Sequence, residues 1–321
     1  MTFRAGLVGL GKIGMGYDYY ESPDKRVVSH ASALVVHPAF ELVGAVDLSP
    51  IRREMFERKY GKPAYQSLGE MLNAGCPHLM IVATPTSQHA TVFDRLRGVP
   101  SLRLVLCEKP FGRTLSDAEG MLAIAKRENF DVAVNYIRAY DPGMQELLKR
   151  LGSGEIGFPL RCSVWYRKGL FNSGSHFLNL FLNVFGDVKE IKNISHGGFW
   201  DETDPEPNVT VVCERGEMHF LVVSEGMSAF NTVEIHGPKG RVVVDENNKI
   251  CCWSRVFDEN LDSAVSTSQT NEEIRTDMDR YQYNVLENLD RFLSGNAELF
   301  CDGFAGLGTM RVLDQIESAL T

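Results

Sequence analysis

The chain has 321 residues, 44% of them hydrophobic, and 33 Lys and Arg against 42 Asp and Glu give a formal net charge of −9. At about 100–200 residues per domain, that length predicts two domains. The acidic balance argues against a broad nucleic-acid or anionic-membrane surface, and no run of about 18 apolar residues predicts a membrane span.

The opening "MTFRAGLVGLGKIG" runs straight into a strand-like segment and lacks the layout of a signal peptide. The seven cysteines include no CxxC pair, which fits free thiols in a reducing cytoplasm. No metal-ligand spacing of His and Cys is present.

In chain order, "RAGLVGLG" reads as a strand, "SHASALVVHP" as a helix ending before Pro38, and "FELVGAVDLS" as a strand. "SPIRREMFERKYG" reads as a helix with Pro50 near its start. "PHLMIVATP" is a strand, "SQHATVFDRLRG" a helix and "SLRLVLCEKP" a strand. "LSDAEGMLAIAKREN" is a helix, with Ser116 as the expected cap and Glu119 at the capping-box position. "FDVAVNYIR" completes the series. Strands alternating with helices predict a doubly wound parallel sheet over residues 1–135.

The rhythm then changes. Helical "DPGMQELLKRLGSGEIG", strand "PLRCSVWYRKG" and helix "SGSHFLNLFLNVFG" precede the strands "VKEIKNIS", "NVTVVCERG", "EMHFLVVSE", "TVEIHGPKGRVVVDE" and "KICCWSR". "HGPKG" has the Pro and Gly of a tight turn. The polar stretch "DENLDSAVSTSQTNEE" reads as a loop, and two helices, "RYQYNVLENLDRFLSG" and "FAGLGTMRVLDQIESAL", close the chain. Residues 136–321 are thus expected to form an α+β domain with a mostly antiparallel sheet, the last helix packing back on the first domain.

Gly9-x-Gly11-x-x-Gly14 follows the first strand directly. A glycine loop between strand and helix allows a tight turn, close backbone approach to a pyrophosphate and a helix N-terminus facing anionic charge. This is the Rossmann dinucleotide fingerprint, with Lys12 and Ile13 inside the loop. Asp47 closes "ELVGAVD" and is the expected ribose ligand. It lies 38 residues beyond Gly9, against about 20 in the usual pattern. The excess maps to "YDYYESPDKRVV", a polar and aromatic insertion before the first helix. A carboxylate at this place favours NAD over NADP. Arg52 is kept as a cofactor candidate, although a solvated helix face is the plainer reading of Arg52 and Arg53.

"GLVGLGKIG", "ATPTSQHA", "CEKPFGRTLSDAE", "VNYIRAYDP" and "GSHFLNLFLNVFG" occur in an order that resembles the glucose-fructose oxidoreductase / inositol dehydrogenase / MocA family. The resemblance covers most of the chain and weakens after about residue 200. It implies a Rossmann domain followed by an open-faced sheet used for assembly into a homo-dimer or homo-tetramer. It also implies that Lys109, of the Glu108-Lys109-Pro110 motif, sits beside the nicotinamide and the substrate hydroxyl, after a cis Lys109–Pro110 bond. Physical chemistry agrees, since Pro110 bars Lys109 from helix and a partly buried lysine takes part readily in proton transfer. By the same resemblance Ala83, Thr84, Pro85 and His89 pack along the cofactor. Asn135, Tyr136 and Arg138 lie near nicotinamide and substrate, with strand-end packing as the alternative.

Asn172, His176, Asn179 and Asn183 recur at spacings that share one helix face, if the helix starts near Asn172. A polar stripe on a buried helix needs partners, and a ligand would supply them. The resemblance makes His176 an acid/base partner or hydroxyl ligand. It also places an Asp where this chain has Asn172, which can hold a hydroxyl but cannot act as a base. The expectation is an NAD(P)-dependent dehydrogenase acting on a secondary alcohol or ketone of a sugar, sugar nucleotide or cyclitol. The alternatives are a non-catalytic dinucleotide-binding sensor of the same fold, or the same chemistry on a non-sugar substrate.

Overall fold

The computed structural model describes residues 2–195, 197–223, 231–245, 247–255 and 269–320. Packing divides the chain into two units, Met1–Tyr140 with Asp279–Met310, and Asp141–Met278 with Arg311–Thr321. The second unit is therefore not the unbroken stretch 136–321, because Asp279–Met310 returns to the first unit.

The first unit runs β1 (Phe3–Val8), α1 (His30–Val36), β2 (Phe40–Val46), α2 (Pro50–Tyr60), β3 (Ala64–Tyr65), α3 (Leu68–Ala74) and β4 (Leu79–Val82). It continues through α4 (His89–Arg95), β5 (Leu104–Cys107), α5 (Leu115–Glu128) and β6 (Asp131–Val134). The sheet order is β3-β2-β1-β4-β5-β6, with every pair parallel. All four residues of β4 and of β5 are buried, as a parallel strand covered on both faces requires. Crossing from β1 to β4 reverses the direction in which the strands are added, and the crevice beyond the strand C-termini opens there.

The start of α5 differs from expectation. Thr114, with extended φ −126° and ψ 163°, is the cap, and it exchanges side-chain hydrogen bonds with Asp117. A cap must keep non-helical backbone, and Ser116 already lies inside the helix. Helix α3 is an addition to the sequence reading. Its signal was Ser67, whose hydroxyl accepts from the Glu70 amide, ahead of Leu68, Met71 and Leu72.

The insertion after the glycine loop is built on Asp18, which is 1% exposed. Its Oδ2 accepts from the Val28 and Ser29 amides, and its Oδ1 from the Ser29 and Ser32 hydroxyls. The Ser29 hydroxyl in turn accepts from the Ser32 amide, so Asp18 sets the place where α1 begins. Lys59 binds the insertion from outside, donating to the Asp18 and Tyr19 carbonyls and lying over the Tyr19 ring.

The second unit opens with α6 (Pro142–Gly152), β7 (Leu160–Tyr166) and α7 (Ser175–Phe185). Seven strands follow: β8 (Val188–Ser195), β9 (Asn208–Cys213), β10 (Gly216–Val222), β11 (Thr232–Gly237), β12 (Gly240–Val244), β13 (Ile250–Arg255) and β14 (Gln269–Ile274). The order is β14-β13-β12-β11-β7-β10-β9-β8, antiparallel except where β7 pairs with β10. Along β7, buried Leu160, Cys162, Val164 and Tyr166 alternate with exposed Arg161 and Trp165, so one face of the sheet is core and the other is open. Of the stretch expected as a loop, residues 258–268 lie outside the described residues, and the rest belongs to β14. Two helices, α8 (Tyr281–Leu293) and α9 (Gly303–Leu320), end the chain. All seven cysteines are free thiols.

Removing the Asp18 carboxylate strands four donors in a dry environment. Asp18→Ala is expected to lower stability by about 3 kcal/mol, read as a reduced urea midpoint with an unchanged slope. A loss below about 0.5 kcal/mol, within the range of ordinary surface changes, would mean that the insertion does not set the start of α1.

Candidate active site

Five neighbouring strands deliver the first unit's candidates to one edge of the sheet. Asp47 follows β2, the glycine loop β1, Ala83-Thr84-Pro85 β4, Glu108-Lys109 β5 and Asn135 β6. The glycine loop leads into a single π turn, Lys12–Gly16, rather than into an α-helix. Gly9 has φ +100°, and a Cβ there would lie 2.5 Å from the Ala83 carbonyl oxygen. At Gly14 a Cβ would lie 2.1 Å from the Gly9 carbonyl oxygen. Both positions therefore demand glycine. Around Gly11 no described atom lies within 4 Å of a Cβ position, so that side of the loop is open. The leading N–H groups of such a turn have no carbonyl within the turn.

Asp47 is buried and points back at the loop. Its Oδ2 accepts from the Leu10 amide and its Oδ1 from the Ser49 amide, both at 2.8 Å. A carboxylate offers about four acceptor positions, so these two bonds orient it and still allow a ribose hydroxyl to donate. Arg52 and Arg53 do not form a simple solvated face. Arg52 Nη1 is 3.6 Å from Asp47 Oδ2, and Arg53 Nη1 donates to the Asp47 and Leu48 carbonyls.

Glu108 is 9% exposed. Its Oε1 accepts from His30 Nε2 at 2.7 Å and from Asn135 Nδ2 at 2.6 Å. Burial pushes this carboxyl up, but the His30 bond and charge, the Asn135 bond and the Lys109 charge together hold it below the usual carboxylate range. The anion accepts only, which places the proton on His30 Nε2 and fixes the Asn135 amide orientation. Lys109 follows at partial exposure, and the Lys109–Pro110 bond is cis, as the resemblance implied. His30 is a site residue that the sequence reading missed. Its signal was the run "SHA" at a helix start, but nothing local pairs it with a residue 78 positions away.

His89 is placed differently from expectation. It is fully buried, with Nδ1 3.1 Å from the Phe111 carbonyl and Nε2 3.1 Å from the Thr84 carbonyl. It lies between the loop after β4 and the loop after Pro110, and as a neutral imidazole it donates to only one of these two carbonyls at a time. Burial pushes its pKa down against the raising effect of the two carbonyls. Tyr136 has no exposed surface and belongs to the core, whereas Arg138 is partly exposed in a short 3-10 turn, Ile137–Tyr140.

Two polar atoms on this edge fit an absent ligand. Thr84 Oγ1 and Asn135 Oδ1 are buried and have no hydrogen-bond partner among the described residues. Together with the open side of Gly11 and the inward-facing Asp47, they fit a dinucleotide lying across the strand ends.

In the second unit, Asn172 lies in a π turn, Leu170–Gly174, that leads into α7. Asp204, itself buried, holds that turn, since its Oδ1 accepts from the Phe171 amide and its Oδ2 from the Asn172 amide. A Cβ on Gly169, at φ +85°, would collide with the same carboxylate. Asn172 Nδ2 donates to the Lys168 carbonyl at 3.0 Å. His176 and Asn179 are buried, but Asn183 is exposed and leaves the stripe. Asp204 was not readable from sequence, because "DETDPEP" offers four acidic residues and no periodicity to choose among them.

Burial also lowers the pKa of His37, against the raising effect of Glu287. Below the unfolded value of 6.5 the unfolded chain takes up protons that folded His37 and His89 refuse, so stability falls as pH drops. The urea midpoint is expected to decrease between pH 7 and pH 5. His89→Gln, which can donate without titrating, should remove part of that decrease. An equal pH dependence in parent and variant would show that His89 does not contribute.

Residues 3–136 match the family described as an oxidoreductase family with an NAD-binding Rossmann fold. The rhizopine catabolism protein MocA of Rhizobium meliloti is 24% identical over 275 residues, covering 79% of this chain and 75% of that protein. Inositol 2-dehydrogenase of Salmonella typhimurium is 28% identical over 163 residues, covering 50% of this chain and 44% of that enzyme. Among solved structures, UDP-N-acetylglucosamine 3-dehydrogenase GnnA from Acidithiobacillus ferrooxidans superposes with a TM-score of 0.78 at 17% identity, covering 99% of this chain and 98% of that one. No helix among the described residues is long and apolar enough to cross a membrane. The strand order and the glycine loop agree with the family match: residues 3–136 are an NAD-binding Rossmann domain of this oxidoreductase family, and the chain as a whole shares the fold of the solved structure it superposes on.

Proposed function

We propose that this enzyme moves a hydride between NAD and a secondary alcohol or ketone of a sugar, sugar nucleotide or cyclitol. The observation that carries the reading is the row of strand ends, where a glycine loop, an oriented carboxylate, a lysine beside a buried glutamate and an orphaned amide oxygen follow one another along one edge. The substrate class is supported by relatives named for polyhydroxylated rings, inositol among them.

When bound, NAD supplies the two-electron acceptor or donor. The amides heading the turn at Gly11, Lys12, Ile13 and Gly14 hold the pyrophosphate, and Asp47 accepts from a ribose hydroxyl with Arg52 at its side. Ala83, Thr84 and Pro85 form the wall along the cofactor, and Thr84 Oγ1 and Asn135 Oδ1 receive its polar groups. Lys109 Nζ takes the hydroxyl proton as the alcohol is oxidised and returns it to the oxygen as the ketone is reduced. Glu108 keeps a negative charge near Lys109. The second unit's candidates for holding hydroxyls are Asn172, His176 and Asn179, with Arg138 the first unit's candidate. An amide at Asn172 donates and accepts but moves no proton, which concentrates the acid/base work on Lys109 and His176. The open sheet face is the surface for assembly into a homo-oligomer in this reading.

Purified protein should quench or shift NADH fluorescence on titration, and a panel of sugars, sugar nucleotides and inositols with NAD and NADP should yield absorbance change at the nicotinamide band. Absence of both would overturn the reading. Lys109→Met should lower kcat by about 10²–10⁴, the usual range for a positioned acid/base group, with NADH affinity changed far less. Asp47→Ala should weaken NAD binding and narrow the preference over NADP. Unchanged affinity and preference would remove Asp47 from the ribose.

A further inference from the structure

We propose that His30 is a positioning residue for Lys109: by donating from Nε2 to Glu108 it fixes the carboxylate beside which Lys109 works. The proposal rests on the reading of Lys109 as the proton-transfer group. His30 is the first residue of α1 and is 1% exposed. Its ring has little freedom, because the start of α1 is set by Asp18 through Ser29, Ser32 and the Val28 amide. The insertion therefore brings a histidine to a place that the glycine loop alone would not reach.

The bond itself is of the charge-assisted kind. Both donors, His30 Nε2 and Asn135 Nδ2, converge on the same oxygen, Oε1. One comes from α1 and the other from the end of β6, so the carboxylate is held from two sides of the sheet edge. Lys109 is its covalent neighbour. A histidine that only filled space would tolerate replacement by an apolar ring. A histidine that works through Glu108 must donate. The titratable groups that feel the Glu108 charge are His30 on α1, Cys107 and Lys109 on its own segment, His89 on α4 and Tyr281 on α8. Loss of the His30 donor leaves burial with less opposition, so Glu108 retains a proton to higher pH and the Lys109 ammonium loses a stabilising neighbour. The amine of Lys109 then titrates lower.

The test reads Lys109 directly. Competitive labelling of the full-length protein with trace acetic anhydride across pH, followed by mass spectrometry of the Lys109 peptide, gives the titration of that amine without cofactor or substrate. His30→Phe, which keeps a ring and removes the donor, should lower the Lys109 midpoint by about one unit. His30→Gln, which keeps a donor, should restore it most of the way, and Glu108→Gln should reproduce the His30→Phe shift. With the alcohol found in the substrate screen, kcat of His30→Phe should fall about 10- to 100-fold, as for a misplaced catalytic group, while KM and NADH affinity change less than threefold. A folded His30→Phe with the parent's Lys109 titration and kcat would overturn the proposal. If His30→Phe does not fold, Glu108→Gln alone decides: an unshifted Lys109 midpoint overturns it equally. Failure of NADH binding would sink the oxidoreductase reading without altering the labelling result, so the two outcomes remain distinguishable.

Discussion

An ionised carboxylate kept almost out of water constrains this protein more than any other single group. Glu108 sits at the end of a strand whose four residues are all buried, where an unpaired charge would cost several kcal/mol. Donors must therefore be brought to it. That requirement reaches α1, whose first residue has to face β5, and β6, whose extended backbone has to end at Val134 so that Asn135 can turn its amide inward. It reaches the insertion as well, since Asp18 holds the start of α1. The candidate catalytic lysine is one residue away from all of this.

The same device recurs. Asp18, Asp141 and Asp204 are buried aspartates that accept from backbone amides at the start of a helix or helical turn. Burial raises the Asp141 carboxyl although the Asp277 and Met144 amides oppose it. Each such acid satisfies leading N–H groups that the helix cannot satisfy itself and complements the dipole at that end. The side chains that follow, His30 after Asp18 and Asn172 beside Asp204, inherit fixed positions. Placement of functional groups here depends on helix starts held by dry carboxylates, more than on the helices' own propensity.

Most of the first unit was legible, because parallel strands buried on both faces read as apolar runs and their ends as breaks at Gly, Pro and Asp. The glycine fingerprint stayed recognisable across a long insertion because its own backbone geometry is local. What sequence could not supply was pairing at a distance. His30 and Glu108 are 78 positions apart, and Asp204 lies 32 beyond the residue whose amide it binds. His89 was read as a cofactor contact since it follows the right loop, and the structure buries it between the Thr84 and Phe111 carbonyls, only one of which is near it in sequence. Asn183 matched the polar stripe in spacing, yet it is exposed near the end of α7 while its neighbours Val184 and Phe185 stay buried.

The return of α8 to the first unit has a consequence for how the protein is made. The Val27 amide donates to Asp279, His37 pairs with Glu287, the Val134 amide donates to Cys301, and Ala133 bridges Asp302. A nascent chain that has exposed only its first 140 residues lacks the partners of α1 and β6. At about 5–20 residues per second, the ribosome adds the missing segment many seconds later. Asp141–Met278, most of the second unit, is synthesised in between. Completion of the first unit is therefore tied to the synthesis of Asp279–Met310, and until then β6 lacks the bridge from Ala133 to Asp302.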